Sequence, residues 1–154
     1  MTTIASIILS TAIAVPPPTD TDARAVLDAI RAVESGGIKD AANAVGDNGK
    51  ALGPYQIHEV YWRDAVQYDK TLVSDGQTYQ SVRDRAYAER VIVAYWSRYA
   101  PNWTPETLAR VHNGGPSGAR KSATLKYWRR VKEQLVPQQQ DGQRAMPSTQ
   151  AVRQ

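Results

Sequence analysis

The sequence predicts an α+β domain dominated by helix, with a small β region near residues 38–57. Three observations carry that prediction. The chain has 154 residues, 42% of them apolar, which is enough for one core and one domain. Apolar residues recur at helical spacing in several separate stretches. Glycine, proline and Asn-Gly signals crowd into a single turn-rich segment in the first third.

Taken in order, the apolar run from Ile4 to Val15 is too short to span a bilayer, which needs ~20 residues. With the A-x-A pattern Ala12-Ile13-Ala14 it reads as a signal peptide over 1–14, although no Lys or Arg precedes it. Residues 15–22, with Pro16-Pro17-Pro18, form a stiff spacer. Asp22 is placed to cap a helix over Ala23–Glu34, with Val26, Ile30 and Val33 on one face and Gly36-Gly37 ending it. Residues 38–57 read as turns and short strands, with Asn48-Gly49 as a hairpin turn. A short helix over Glu59–Tyr68 and a polar loop to about Gln80 follow. Ala88, Val91, Ile92, Tyr95, Trp96 and Tyr99 make one continuous helical stripe, which assigns Trp96 to the core. Thr104-Pro105-Glu106 starts a helix that runs to about Val111, before His112-Asn113-Gly114-Gly115-Pro116. A last helix, Ala123–Leu135, turns Leu125, Trp128, Val131 and Leu135 inward, closing a folded domain over 23–135. Residues 136–154, rich in Gln and poor in apolar side chains, read as a disordered tail.

Composition removes whole classes of function. With no cysteine and only two histidines, disulfide scaffolds, thiol catalysis, iron–sulfur clusters and cysteine or three-histidine metal sites are excluded. No metal and no organic cofactor is expected. The net charge of +4 favours anionic partners without choosing among nucleic acid, lipid and cell wall. The basic residues Arg120, Lys121, Lys126, Arg129, Arg130 and Lys132 carry no recognisable nucleic-acid motif, so no nucleic-acid partner is read from them. Their default role is a solvated face, with attraction to anionic wall polymers second.

Two carboxylates stand out. Glu34 ends an amphipathic helix beside Val33, where partial burial and the negative helix end both favour the protonated acid. A carboxylic acid that holds its proton near neutrality is what glycoside cleavage requires of a general acid. Asp47, thirteen residues on, sits in the polar turn Gly46-Asp47-Asn48-Gly49, and a carboxylate on a solvated turn is ionised at neutral pH. Glycosidases set such a pair across the scissile bond. The plain alternatives are a solvated helix-end Glu and an Asx-turn Asp, and spacing alone does not make the two face each other.

Several motifs then occur together: Val33-Glu34-Ser35-Gly36-Gly37, Leu52-Gly53-Pro54-Tyr55-Gln56-Ile57, Tyr61-Trp62-Arg63-Asp64 and Tyr95-Trp96-Ser97-Arg98-Tyr99. The block from Ala109 to Gly118, containing His112-Asn113-Gly114-Gly115-Pro116, and Thr124-Leu125-Lys126-Tyr127-Trp128 complete the set. In this order and spacing they resemble the invertebrate-type (destabilase) lysozyme family over Glu34 to about Val131. The resemblance implies a lysozyme-like fold and cleavage of the β-1,4 bond between N-acetylmuramic acid and N-acetylglucosamine. It implies Glu34 as general acid and Asp47 as nucleophile or stabiliser. Tyr55, Gln56, Tyr61, Trp62, His112, Asn113 and Gly114 become substrate-binding candidates, although His112 and Asn113-Gly114 also fit a plain helix cap.

The departures are specific. Counted without gaps from Glu34 to Gly53, the family's aspartate falls on Gly46, so assigning Asp47 takes a one-residue shift, with Asp64 in reserve. Leu52, Ala65 and Ala119 stand where animal members carry cysteine, which suggests a bacterial or phage-type relative whose packing replaces bridges worth ~2–4 kcal/mol each. Ala51 and His58 (or Glu59) stand where some members have the Ser and Lys of an isopeptidase, so that activity is not expected. The reading is of a monomeric, secreted or envelope-directed muramidase acting on peptidoglycan strands, with chitin oligomers as a further substrate and no membrane insertion. Two others stay open: a lytic transglycosylase using Glu34 alone, and a non-catalytic peptidoglycan- or chitin-binding module.

Overall fold

In a computed structural model, the structure describes residues 20–36 and 41–143. The signal-peptide reading and most of the spacer lie outside the described residues. Among the described residues five α-helices surround a core, and a three-stranded antiparallel sheet of two-residue strands stands at one side. The helices are α1 (Asp20–Ser35), α2 (Glu59–Tyr68), α3 (Arg85–Tyr99), α4 (Pro105–Gly114) and α5 (Leu125–Gln143). The strands are β1 (Val45–Gly46), β2 (Ala51–Leu52) and β3 (Ile57–His58).

Helix α1 begins earlier than its sequence signal, so Asp22 lies within the first turn and is not the N-cap. It ends as predicted, with Gly36 in the left-handed region at φ +59°. Val26 and Ile30 are fully buried and Val33 packs at the edge of the core, because i, i+4, i+7 spacing puts all three on one stripe. Helix α2 occupies the predicted Glu59–Tyr68. The loop expected after it contains two 3₁₀ turns, Lys70–Val73 and Tyr79–Arg83, which drive Leu72 and Val82 into the core.

The α3 stripe is the centre of the core: Ala88, Val91, Ile92, Tyr95 and Trp96 are all buried. Asp84 caps α3 by accepting from the Tyr87 N–H, and Thr104 caps α4 by accepting from the Thr107 N–H, with Pro105 at the first helical position. Helix α4 does not stop at Val111. It continues through Gly114, and the residue that turns left-handed is Gly115, at φ +77°, its N–H donating to the Val111 carbonyl. Asn113-Gly114 is therefore helical and not the capping pair, which leaves His112 and Asn113 projecting from the last turn.

Helix α5 starts after a 3₁₀ turn, Ser122–Thr124, and this sets its phase. Tyr127 and Val131 point inward, with Trp128 and Leu135 packed against the core's edge. Leu125, expected inside, is 41% exposed, because it opens the helix on the opposite side from Tyr127. The helix runs to Gln143, eight residues past the predicted end at 135, in a segment where glutamine is a good helix former. The remainder of the predicted tail, 144–154, lies outside the described residues.

In the sheet, β1 pairs antiparallel with β2 (Val45↔Leu52, Gly46↔Ala51) and β2 with β3 (Ala51↔His58, Leu52↔Ile57). The β1–β2 connection, Asp47 to Lys50, takes three consecutive left-handed residues, Asp47 (φ 47°), Asn48 (φ 53°) and Gly49 (φ 90°). An Asp and an Asn tolerate this where a β-branched residue would not. Leu52 and Ala65, at positions the family fills with cysteine, are buried in the core, and Ala119 packs against it.

Candidate active site

Glu34 sits in the last turn of α1, held against α5 by the close packing of the two helices. Arg130 of α5 donates to the Val33 carbonyl (3.1 Å), which ties the end of α1 to α5. Opposite, the β1–β2 turn presents Asp47. The two carboxylates line one cleft of about 310 Å³, together with Ala51, Gln56, His58, His112 and Asn113. A neighbouring hollow of about 350 Å³ shares Gln56, His58, His112 and Asn113 and extends the groove over Tyr61 to Gly115 and Pro116. The structure therefore brings α1, the sheet and the end of α4 to one polar groove.

Burial raises the Glu34 carboxyl above its ordinary range, and the nearby Tyr127 hydroxyl and the charges of Arg130 and His58 oppose this without overcoming it. Tyr127 is buried, and its hydroxyl approaches Glu34 without closing a full hydrogen bond, leaving the phenol with no satisfied partner. Asp47 differs from Glu34 in setting: its side chain is 59% exposed. Its Oδ2 lies 3.5 Å from His58 Nε2.

Position 46, beside Asp47, is crowded by Gln56. A Cβ on Gly46 would fall 2.0 Å from Gln56 Oε1, so a side chain at 46 would require the Gln56 amide to move. Gln56 is held there by its own left-handed backbone (φ 49°) and by donating from Nε2 to the Gly53 carbonyl (2.9 Å). Asp47, the next residue on the turn, lines the cleft.

Of the other predicted binding residues, Gln56, His112 and Asn113 line the cleft and Tyr61 lines its extension. Tyr61 is nonetheless mostly a core residue, stacked on Tyr95 with ring centroids 3.6 Å apart. Three assignments need correction. Tyr55 is 0% exposed and points away from the groove, its hydroxyl donating to Glu89 Oε1 (2.6 Å). Glu89 also accepts from Arg24 and Arg85, and Asp28 pairs with both arginines, so Tyr55 belongs to a charge network tying α1 to α3. Trp62 lies on the side of α2 away from the cleft and donates to the Tyr87 hydroxyl (2.8 Å). One step along α2 from Tyr61 rotates the side chain by about 100°, enough to remove it from the groove. Gly114 does not line the cleft; its carbonyl accepts from Lys121 Nζ (2.6 Å). Asp64, the reserve carboxylate, is committed to Tyr99 (3.2 Å) and Arg98 (3.5 Å) across the α2–α3 contact.

Sequence reasoning did not anticipate Tyr127 beside Glu34, or His58 as a partner of Asp47. The helical phase of α5 decided the first and the strand register the second, and neither is local in sequence.

His112 gives a pH prediction. Its ring is packed against Tyr61 (5.5 Å between centroids), and burial lowers its pKa to about 4, a backbone hydrogen bond at Tyr55 opposing. Between about pH 4 and the ordinary histidine value near 6.5 the unfolded chain then binds a proton that the folded chain does not, so stability falls as pH falls through that window. Urea titrations at pH 7 and pH 5 should show a loss for the wild type that is smaller in His112→Gln. An equal loss in both would assign the acid sensitivity elsewhere.

Set beside known proteins, residues 24–134 match the family model described as Destabilase. The chain belongs to this family. It is 37% identical over 92 residues to Lysozyme 1 of Crassostrea virginica, covering 56% of this chain and 46% of that protein. It is 33% identical over 100 residues to an invertebrate-type lysozyme of Ruditapes philippinarum, covering 62% and 69%. The chain thus spans about half the length of the first of these relatives. Among solved structures, the crystal structure of Tapes japonica lysozyme superposes with a TM-score of 0.59 at 28% identity, covering 84% of this chain and 94% of that one. The lysozyme-like, helix-dominated architecture with its small sheet is the family's.

Proposed function

We propose that this chain is a glycoside hydrolase of the lysozyme type, cleaving the β-1,4 bond between N-acetylmuramic acid and N-acetylglucosamine in peptidoglycan. The observation that carries the reading is a desolvated glutamic acid at a helix end sharing one polar cleft with an exposed aspartate on a turn. The names of the relatives, all lysozymes, support it. Glu34 gives its proton to the glycosidic oxygen as the C1–O bond breaks. Asp47 attacks C1 or balances the positive charge of the oxocarbenium-like transition state. A water, deprotonated by Glu34, then completes hydrolysis. Gln56, His112 and Asn113 supply donors and acceptors for the hydroxyl and N-acetyl groups of the sugars.

Peptidoglycan outside the cell is the substrate this chemistry fits, so the proposal includes export of a monomeric enzyme, with chitin oligomers as a weaker substrate. No isopeptidase activity is part of it, since Ala51 offers no nucleophile.

The test is digestion of purified peptidoglycan by the full chain, with the products weighed. Muropeptides carrying free reducing ends are expected, and Asp47→Asn should reduce their release by about 100-fold, a typical loss for a group aimed at developing charge. Anhydromuramic products with Asp47→Asn at full rate would replace this reading with transglycosylation by Glu34 alone. Binding to peptidoglycan with no turnover would leave a wall-binding module.

A further inference from the structure

We propose that His58 is the positioning residue of Asp47, holding its carboxylate toward the sugar's C1 from the far strand of the sheet. The inference rests on the reading of Asp47 as the second carboxylate and adds to it the group through which that carboxylate is aimed.

The strand register sets up the contact. Gly46, Ala51 and His58 lie in one row across β1, β2 and β3, with Ala51 in the middle and Asp47 next after Gly46. Across two strand spacings, roughly 9–10 Å, a bulky central residue would keep the outer side chains apart. Ala51 is small and buried at the cleft wall, so Asp47 and His58 close over it to 3.5 Å, and all three line the same cleft.

Asp47 needs such a partner. It sits in a left-handed turn with its side chain 59% exposed, and among the described residues His58 is the one basic side chain paired with its carboxylate. A free Asp side chain there would sample several rotamers, few of them facing Glu34. His58 is free for the task. It precedes α2 at the N-cap position but makes no side-chain capping bond, and the adjacent Glu59 is taken by Arg63 (2.7 Å). The other groups facing it are Glu34, with which it interacts by charge, and Gln56, His112 and Asn113 of the cleft wall.

A double-mutant cycle on the full chain tests this, reading kcat and KM for a soluble peptidoglycan fragment in His58→Ala, Asp47→Asn and the pair. Acting through Asp47, His58→Ala should lower kcat about 10-fold with KM within 2-fold, and His58→Gln, which keeps a donor, should recover most of the loss. In the Asp47→Asn background the same His58→Ala change should cost less than 2-fold. An equal kcat loss in both backgrounds, or a loss confined to KM, overturns the positioning role, since His58 would then serve the substrate directly. A fall in Tm matching the loss of activity also overturns it, because the histidine would then be structural. If Asp47→Asn alone keeps full activity, or the unsubstituted chain has no turnover, the catalytic reading fails first and this inference with it.

Discussion

Glu34→Gln is expected to reduce peptidoglycan hydrolysis by about 10²–10⁴-fold with little change in KM, the range associated with a positioned general acid. Glutamine matches the carboxyl in shape but has no proton to give to the leaving oxygen. Reducing-end release measured beside the wild type reads it directly, and a loss below about 10-fold would remove Glu34 from the chemistry. The wild type should also show an upper pH limb set by this group. Burial raises the Glu34 pKa, so activity persists above the pH at which an ordinary glutamate would already have lost its proton, and falls as the shifted acid ionises. The stability signature has the opposite benefit. With its folded pKa raised, Glu34 binds a proton more readily in the folded chain, so its contribution declines as pH rises from the unfolded value through the folded one. Near neutrality Glu34→Gln should therefore melt higher than the wild type, and below about pH 4 that advantage should vanish. A variant that is inactive and also less stable at pH 7 would point to a structural glutamate.

Gly118→Ala is expected to cost about 3 kcal/mol, the upper range for overpacking, and to lower Tm by about 10 °C or more. A Cβ at position 118 would lie 1.9 Å from the Arg110 carbonyl oxygen and 2.7 Å from its carbon, and both belong to the backbone of α4. Neither can swing aside as a side chain could. The contact is also fastened from other directions. Thr124 donates to the Gly118 carbonyl (2.8 Å), while Arg110 reaches Thr124 (3.0 Å), the Lys121 carbonyl (3.1 Å) and Glu106 (2.6 Å). Forcing the turn off α4 breaks that set and displaces Gly115 and Pro116, which line the groove. Gly76→Ala is the control. At Gly76 (φ +78°) a Cβ meets nothing within 4 Å, so the change costs only the left-handed strain of about 1–2 kcal/mol. Thermal melts that rank the two equally would remove the steric argument.

How much of this was legible in the sequence depends on the range of the interaction. Helix α2, the buried stripe of α3 and the Thr104 cap of α4 were readable because period and capping act within one or two turns. Glu34 was readable for the same reason: the end of an amphipathic helix beside Val33 and before Gly36 already describes a half-buried carboxyl. The helix-end assignments for α4 and α5 slipped because two factors compete there. Gly114 can stay helical when Gly115 supplies the left-handed residue, and the 3₁₀ turn before Leu125 delays the start of α5 and leaves Leu125 on its outer side.

By itself, then, the sequence determined the helix-dominated class and the family and singled out Glu34 as a half-buried helix-end carboxyl, since local patterns and the order of motifs express all three. The tertiary structure alone decided which side chains share the groove. Tyr55 went inward because Glu89, thirty-four positions away, accepts its hydroxyl. Trp62 turned toward Tyr87, and Tyr127 came to lie beside Glu34. Asp47 came to line one cleft with Glu34, and His58 met it across two strands. Each is a contact between segments distant in the chain, made by burial and register, and no local pattern in the sequence encodes such a contact.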